Sequence, residues 1–133
     1  MKIFVDTSGF IAITDHSDQF HRHASRFLAE VHPHTSFHTT NYIFDETLTC
    51  LRYAAGHKAA VQFAETLYKS EIHEMHYVDH RIEQEAFKLF KKLHDQKLSF
   101  TDCVSVFFME ELGIQKIFAF DDDFKRLGYE TVP

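Results

Sequence analysis

Residues 2–12 read KIFVDTSGFIA, and the reading of this stretch decides the fold. Lys2–Val5 is a short apolar, β-favouring run that stops at Asp6. A buried parallel strand delivers a polar residue at its carboxyl end in this way. Thr7, Ser8 and Gly9 then turn the chain, and Phe10–Ile13 predicts the start of a helix. A second run of the same kind, Lys116–Phe120 (KIFAF), leads straight into Asp121. Two apolar strands that each run into an aspartate mark a crevice, because ligands in open α/β sheets collect beyond the carboxyl ends of the strands.

Between these two runs the periodicity alternates. Phe20, Ala24, Phe27, Leu28 and Val31 recur at helical spacing over about residues 19–31, and Pro33 ends that helix. His34–His38 predicts a second strand, and Thr39 or Thr40 then caps a helix carrying Ile43, Thr47, Leu48 and Leu51. Gly56 separates it from a helix over His57–Ser70. Glu71–Val78 alternates as a third strand, with Ile72, Glu74, His76 and Val78 on one side. Asp79 caps the helix of Ile82, Ala86, Leu89, Phe90 and Leu93, and Ser99 or Thr101 caps another that Gly113 ends. Glu130–Val132 predicts a short last strand. The pattern is that of an α/β sandwich around a short, mostly parallel sheet, with residues 1–133 as one domain.

Composition sets the outer bounds. With 44% hydrophobic and 26% charged residues, the chain has the make-up of a soluble globular protein rather than a disordered one. Two cysteines, Cys50 and Cys103, do not make a secreted disulfide framework. No leader pattern opens the chain and no apolar run reaches the roughly 18 residues of a spanning helix, so a cytoplasmic protein with no membrane partner is expected. The net charge of −6, from 20 acids against 14 bases, argues at first against a polyanionic partner.

The location of the acids changes that inference. Asp6, Glu46, Asp102, Asp121 and Asp123 all fall at strand ends or in the first turns of helices. Brought to one edge of the sheet, they would repel one another and raise one another's pKa unless a hard cation compensated. Mg²⁺ takes oxygen ligands, typically one or two carboxylates, and keeps several waters. Two such ions are a standard arrangement for phosphodiester cleavage. Each acid but Asp6 has a plainer use as well: Asp102 as a helix cap, Asp121–Asp123 as a turn, Glu46 and its neighbour Asp45 as a solvated helix face. Setting the five acids aside leaves 15 acids against 14 bases, so the acidity is concentrated in the candidate site. Bound cations would invert its sign locally.

The segments KIFVDTSGFIA, TTNYIFDETLTCLR and LSFTDCVSVFFMEELGIQKIFAFDDDFKRLGYETVP, in this order, resemble the PIN-domain family and, within it, the VapC-type toxins of toxin–antitoxin pairs. The resemblance spans nearly the whole chain. It implies a PIN-like α/β/α fold and a Mg²⁺- or Mn²⁺-dependent endoribonuclease, with one or two ions per site, that leaves a 3′-hydroxyl and a 5′-phosphate. It implies Asp6, Glu46 and Asp102 as the first three catalytic and metal-holding acids, Asp121 as the fourth and Asp123 as an auxiliary metal ligand, with Asp122 competing for the fourth place. It places Ser8 as a small hydroxyl residue near the metal, and implies an RNA substrate, a cognate antitoxin and a homodimer. The alternative is a non-catalytic PIN-like binding or scaffold module.

Other constellations fit less well. Eleven histidines raise zinc, with clusters at His21/His23, His32/His34/His38 and His73/His76/His80. None matches H-E-x-x-H, neither cysteine sits in C-x-x-C, and on a strand His73 and His76 face opposite ways. Surface or core histidines are the reading adopted. An aspartate-nucleophile phosphatase would need a second Asp where Ser8 stands, and a phospho-receiver domain would need an acidic pair at the first strand. Phe87/Phe90 and Phe107/Phe108 lie at core spacings. Arg22, Arg26, Arg52 and Lys58 are the cations expected to flank a cleft, with Arg52 the substrate-binding candidate. Apolar residues near the early helices, Phe44, Tyr42, Tyr53 and Tyr68, are candidates for a dimer or antitoxin interface.

Overall fold

The computed structural model describes residues Met1–Pro133 throughout. In chain order the elements are β1 (Lys2–Val5), α1 (Thr7–Thr14), α2 (His21–Glu30), β2 (Ser36–Thr40), α3 (Asn41–Ala54), α4 (His57–Lys69), β3 (His73–His76), α5 (His80–Lys92), α6 (Phe100–Leu112), β4 (Lys116–Phe118), α7 (Asp123–Arg126) and β5 (Glu130–Val132). The strands form one five-stranded sheet in the order β3-β2-β1-β4-β5, and every pair is parallel.

Right-handed crossovers explain the layers. The chain steps outward from β1 to β2 to β3, then jumps back across β1 to β4, so the helices before and after the reversal must cover opposite faces. Side-chain contacts agree. His73 of β3 packs near Phe10 of α1, whose ring meets Phe63 of α4, whereas His76 of the same strand stacks against Phe108 of α6. The direction reverses between β1 and β4, which makes the crevice at their carboxyl ends the topological switch point. Ile3, Phe4, Val5, Ile117 and Phe118 of these two strands are almost fully buried beneath it.

Local chemistry accounts for most boundaries. Thr40 caps α3 by accepting from the Ile43 N–H, Asp79 caps α5 by accepting from the Ile82 N–H, and Gly113 ends α6 in the left-handed conformation. Four expectations shift. The second strand is Ser36–Thr40 rather than His34–His38, because its register is set by pairing with β1 (Ile3 opposite Phe37). The helix after β1 starts at Thr7, so Gly9 lies inside it and not in a turn. The last apolar strand stops at Phe118, two residues before the run ends, and the DDD segment leads into the extra turn α7.

The fourth shift concerns Phe87 and Phe90, which are 51% and 43% exposed instead of core. Helix α5 turns Ile82 and Ala86 inward, and these two phenylalanines fall on its flank. Phe90 leans on Phe100, and the Lys91 ammonium sits over the Phe87 ring. No helix is long and apolar enough to cross a membrane.

Candidate active site

Asp6 is the centre of the switch-point crevice. Its backbone N–H extends the β1–β4 ladder by donating to Phe118 O, and its side chain caps α1. The Ser8 hydroxyl donates to Asp6 Oδ2 at 2.9 Å, the Ser8 N–H donates to the same oxygen at 3.3 Å, and the Phe120 N–H donates to Ser8 Oγ at 3.1 Å. Ser8 therefore locks Asp6 to the segment that follows β4, and its only proton is committed to the carboxylate. Gly9 makes this approach possible: a Cβ there would lie 2.5 Å from Phe118 O. The residue is glycine because the helix start and the end of β4 touch.

The other acids arrive from three directions. Asp102 opens α6 in a capping box with Ser99, accepting from the Ser99 N–H at 2.9 Å while Ser99 Oγ accepts from the Asp102 N–H at 3.0 Å. The cap reading of Asp102 thus holds, and the acid still faces its neighbours. Asp121 follows β4 and accepts from the Asp123 N–H at 3.2 Å in a tight turn. Asp123 opens α7, with Arg126 Nη1 at 3.5 Å from its Oδ1. Asp122 is exposed.

The electrostatics show which acids meet. Burial pushes the Asp6 carboxyl up to about 7, Asp121 and then Asp102 add repulsion, and the Ser8 hydrogen bonds oppose the shift. Burial likewise raises Asp102, against the Ser99 bonds, with Asp121 and Asp123 adding to the rise. So Asp6, Asp102 and Asp121 share one field, Asp123 borders it through Asp102, and Asp122 takes no part in either shift. No lysine or arginine pairs with Asp6, Asp102 or Asp121.

Glu46 is half-buried in the second turn of α3, and the group it acts on is Cys50, whose thiol it helps to raise after burial. Glu46 does not figure among the charges that raise Asp6 or Asp102. Arg52 lies six residues further along α3, roughly 9 Å along the axis at helical rise, and its guanidinium contacts His57 at the start of α4. It is thereby turned from the acids towards the α3–α4 corner.

An all-carboxylate donor set with no cation to neutralise it fits a hard divalent ion. The acids are spread, as suits an ion that keeps much of its water; the trio of ligand groups that converges within 4.8 Å is a different one, His38, Glu74 and His76. There His38 Nδ1 lies 3.0 Å from His76 Nε2 and 3.5 Å from Glu74 Oε2. Burial lowers the pKa of both imidazoles. The sequence hides this trio, because its members join only through pairing of β2 with β3. The broad hollow along α5, lined by His80, Glu83, Phe87, Lys91 and Phe100 among others, contains none of the acids.

A parallel α/β/α sheet with unpaired carboxylates at its switch point defines the class as an α/β/α protein whose acids suit divalent-cation chemistry on phosphate esters. Comparison with known proteins gives the family. The model of the PIN domain matches residues 3–129. A 23S rRNA-specific endonuclease, VapC20, of Mycobacterium tuberculosis is 34% identical over 130 residues, covering 98% of this chain and 97% of that protein. A VapC ribonuclease of Archaeoglobus fulgidus is 35% identical over 86 residues, 64% of this chain and 53% of that one. The crystal structure of VapC20, described as a sarcin–ricin loop cleaving toxin, superposes with a TM-score of 0.90 at 33% identity, covering 98% and 99% of the two chains. VapBC-1 from nontypeable Haemophilus influenzae shares the fold, with a TM-score of 0.66 at 14% identity over 98% and 96% of the chains. The chain belongs to the PIN-domain family and is a ribonuclease of its VapC type.

Proposed function

We propose that this protein is the toxin of a toxin–antitoxin pair, a Mg²⁺- or Mn²⁺-dependent endoribonuclease that cuts a structured loop of 23S ribosomal RNA in the cytoplasm, with residues 1–133 acting as one domain. The observation that carries the reading is the buried carboxyl of Asp6, pushed to about 7 beside Asp121 and Asp102 with no basic partner. Such a site is strained until a divalent cation enters it.

In this reading Asp6, Asp102 and Asp121 would hold one or two cations, with Asp123 assisting and Glu46 of α3 as the further acid that the family likeness supplies. A bound cation supplies Lewis acidity for an in-line attack of water on phosphorus and for departure of the ribose 3′-oxygen. The chain's own residues keep the acids in place. Ser8 anchors Asp6, the Ser99 capping box anchors Asp102, and the Asp121–Asp123 turn aims Asp121. Asp6 must give up the proton that burial favours before it can hold a cation, so cation binding would strengthen as pH rises. In this reading Arg22, Arg26 and Lys58 are the cations offered to phosphates around the crevice, whereas Arg52, engaged with His57, is left out.

The substrate class rests on the 34% identity to the 23S rRNA-specific endonuclease along almost the full length of both chains. Loops of this kind are read by shape and splayed bases rather than by a duplex code. The VapC likeness supports a cognate antitoxin, which inhibits by placing an Arg or Lys among the acids. It also supports a homodimer, for which exposed Tyr53, Val61 and Tyr68 on α3 and α4 provide apolar surface.

Purified ribosomes incubated with the protein and Mg²⁺ or Mn²⁺, followed by primer-extension mapping, test the reading. One discrete cut in 23S rRNA is expected, abolished by chelator and reduced at least about 100-fold by Asp6→Asn. Undiminished cutting by Asp6→Asn overturns the site, and cutting confined to transfer or messenger RNA overturns the substrate.

A further inference from the structure

His38, Glu74 and His76 stand outside the acid crevice, on the sheet face towards α6, and the nuclease reaction makes no use of them. Their meeting follows from strand register. Glu74 lies directly opposite His38 in the parallel β2–β3 pair, and His76 lies two residues further along, on the same face. Nδ1 of His38, Nε2 of His76 and a carboxylate oxygen of Glu74 all lie within 4.8 Å of one another. The geometry points to a second metal centre, in which these three side chains bind a Zn²⁺-class ion and tie the edge strand β3 to β2.

Distances, donor chemistry and surroundings each support the assignment. Zn–N bonds of about 2.0–2.1 Å at a tetrahedral angle put two ligand atoms about 3.4 Å apart. The separations from His38 Nδ1, 3.0 Å to His76 Nε2 and 3.5 Å to Glu74 Oε2, straddle that value. The ion would replace the single proton that the two imidazoles now share. Two imidazoles and one carboxylate suit Zn²⁺, Ni²⁺ or Co²⁺, whereas Mg²⁺ prefers an all-oxygen shell.

The outer shell is also present. His38 Nε2 lies 3.0 Å from Ser36 Oγ, a hydroxyl that can accept from Nε2–H when Nδ1 ligates. The Phe108 ring lies against His76 at 5.3 Å and walls off the inner side. The Glu74 side chain is 64% exposed, which leaves a fourth position to water. Strand β3 is four residues long and has a neighbour on one side only, so a bond to β2 through metal adds a constraint where the sheet has least.

Calorimetric titration of the tag-free full chain with Zn²⁺, in excess Mg²⁺ to fill the acid crevice, tests the assignment. One Zn²⁺ per chain is expected, with affinity lowered at least about 100-fold in Glu74→Gln/His76→Gln and retained in Asp6→Asn. Glu74→Gln alone, at an exposed side chain that leaves the fold intact, is expected to weaken Zn²⁺ about tenfold and to diminish the visible absorption of a Co²⁺ substitute. Absence of saturable Zn²⁺ binding overturns the centre. So does equal affinity in the double variant, or loss of Zn²⁺ on Asp6→Asn.

Discussion

Gly9 sits one helical turn from the reactive end of the sheet, and what it lacks matters more than what it has. With Phe118 O at 2.5 Å from where its Cβ would be, a methyl group must displace the β4 backbone, which has no rotamer to yield. Overpacking of this kind costs about 1–3 kcal/mol. Gly9→Ala should therefore lower the melting temperature by about 3–10 °C in a calorimetric scan, and lower ribonuclease activity as well, because it pries Ser8 from Phe120. An unchanged melting temperature would show that the contact is slack. The sequence offers Gly9 only as a turn residue; the carbonyl that demands it comes from 109 positions further along the chain.

Among the elements, α6 has a second task beyond covering the sheet. Its capping box ties the helix start to Asp102, so the proposed site joins stability to activity there. Ser99→Ala leaves the Asp102 N–H without its acceptor and should cost about 1 kcal/mol in urea melts, while raising the Mg²⁺ concentration needed for half-maximal cleavage. Ser99→Thr, which keeps the hydroxyl, should restore both. If Ala and Thr behave alike, the cap does not position Asp102. Strand β2 shows the limit of local reading. HTSFHTT carries no boundary of its own, and it is pairing with β1 that puts the strand at Ser36–Thr40 and turns His38 towards His76.

For the molecule as a whole, the acid crevice makes stability depend on pH and on cations. The Asp6 carboxyl has its ordinary value of 3.8 when exposed and about 7 in the folded protein. The folded state therefore holds that proton more tightly, and the stability it contributes is full below about pH 4 and lost as pH rises through about 7. The loss amounts to a few kcal/mol at most. In chelator, wild type should melt lower at pH 8 than at pH 5 relative to Asp6→Asn, and Mg²⁺ should close the gap. Parallel curves for the two proteins would show that Asp6 is not held in a repulsive site. The sequence by itself determined the alternation of strands and helices, most caps, and the aspartates after β1 and β4, because periodicity and capping are local properties of the chain. Tertiary structure alone decided which acids share a field, that Asp121 rather than Asp122 joins Asp6, and that His38, Glu74 and His76 converge. Those facts depend on strand order and register, which bring together residues far apart in sequence and leave no mark on any one segment.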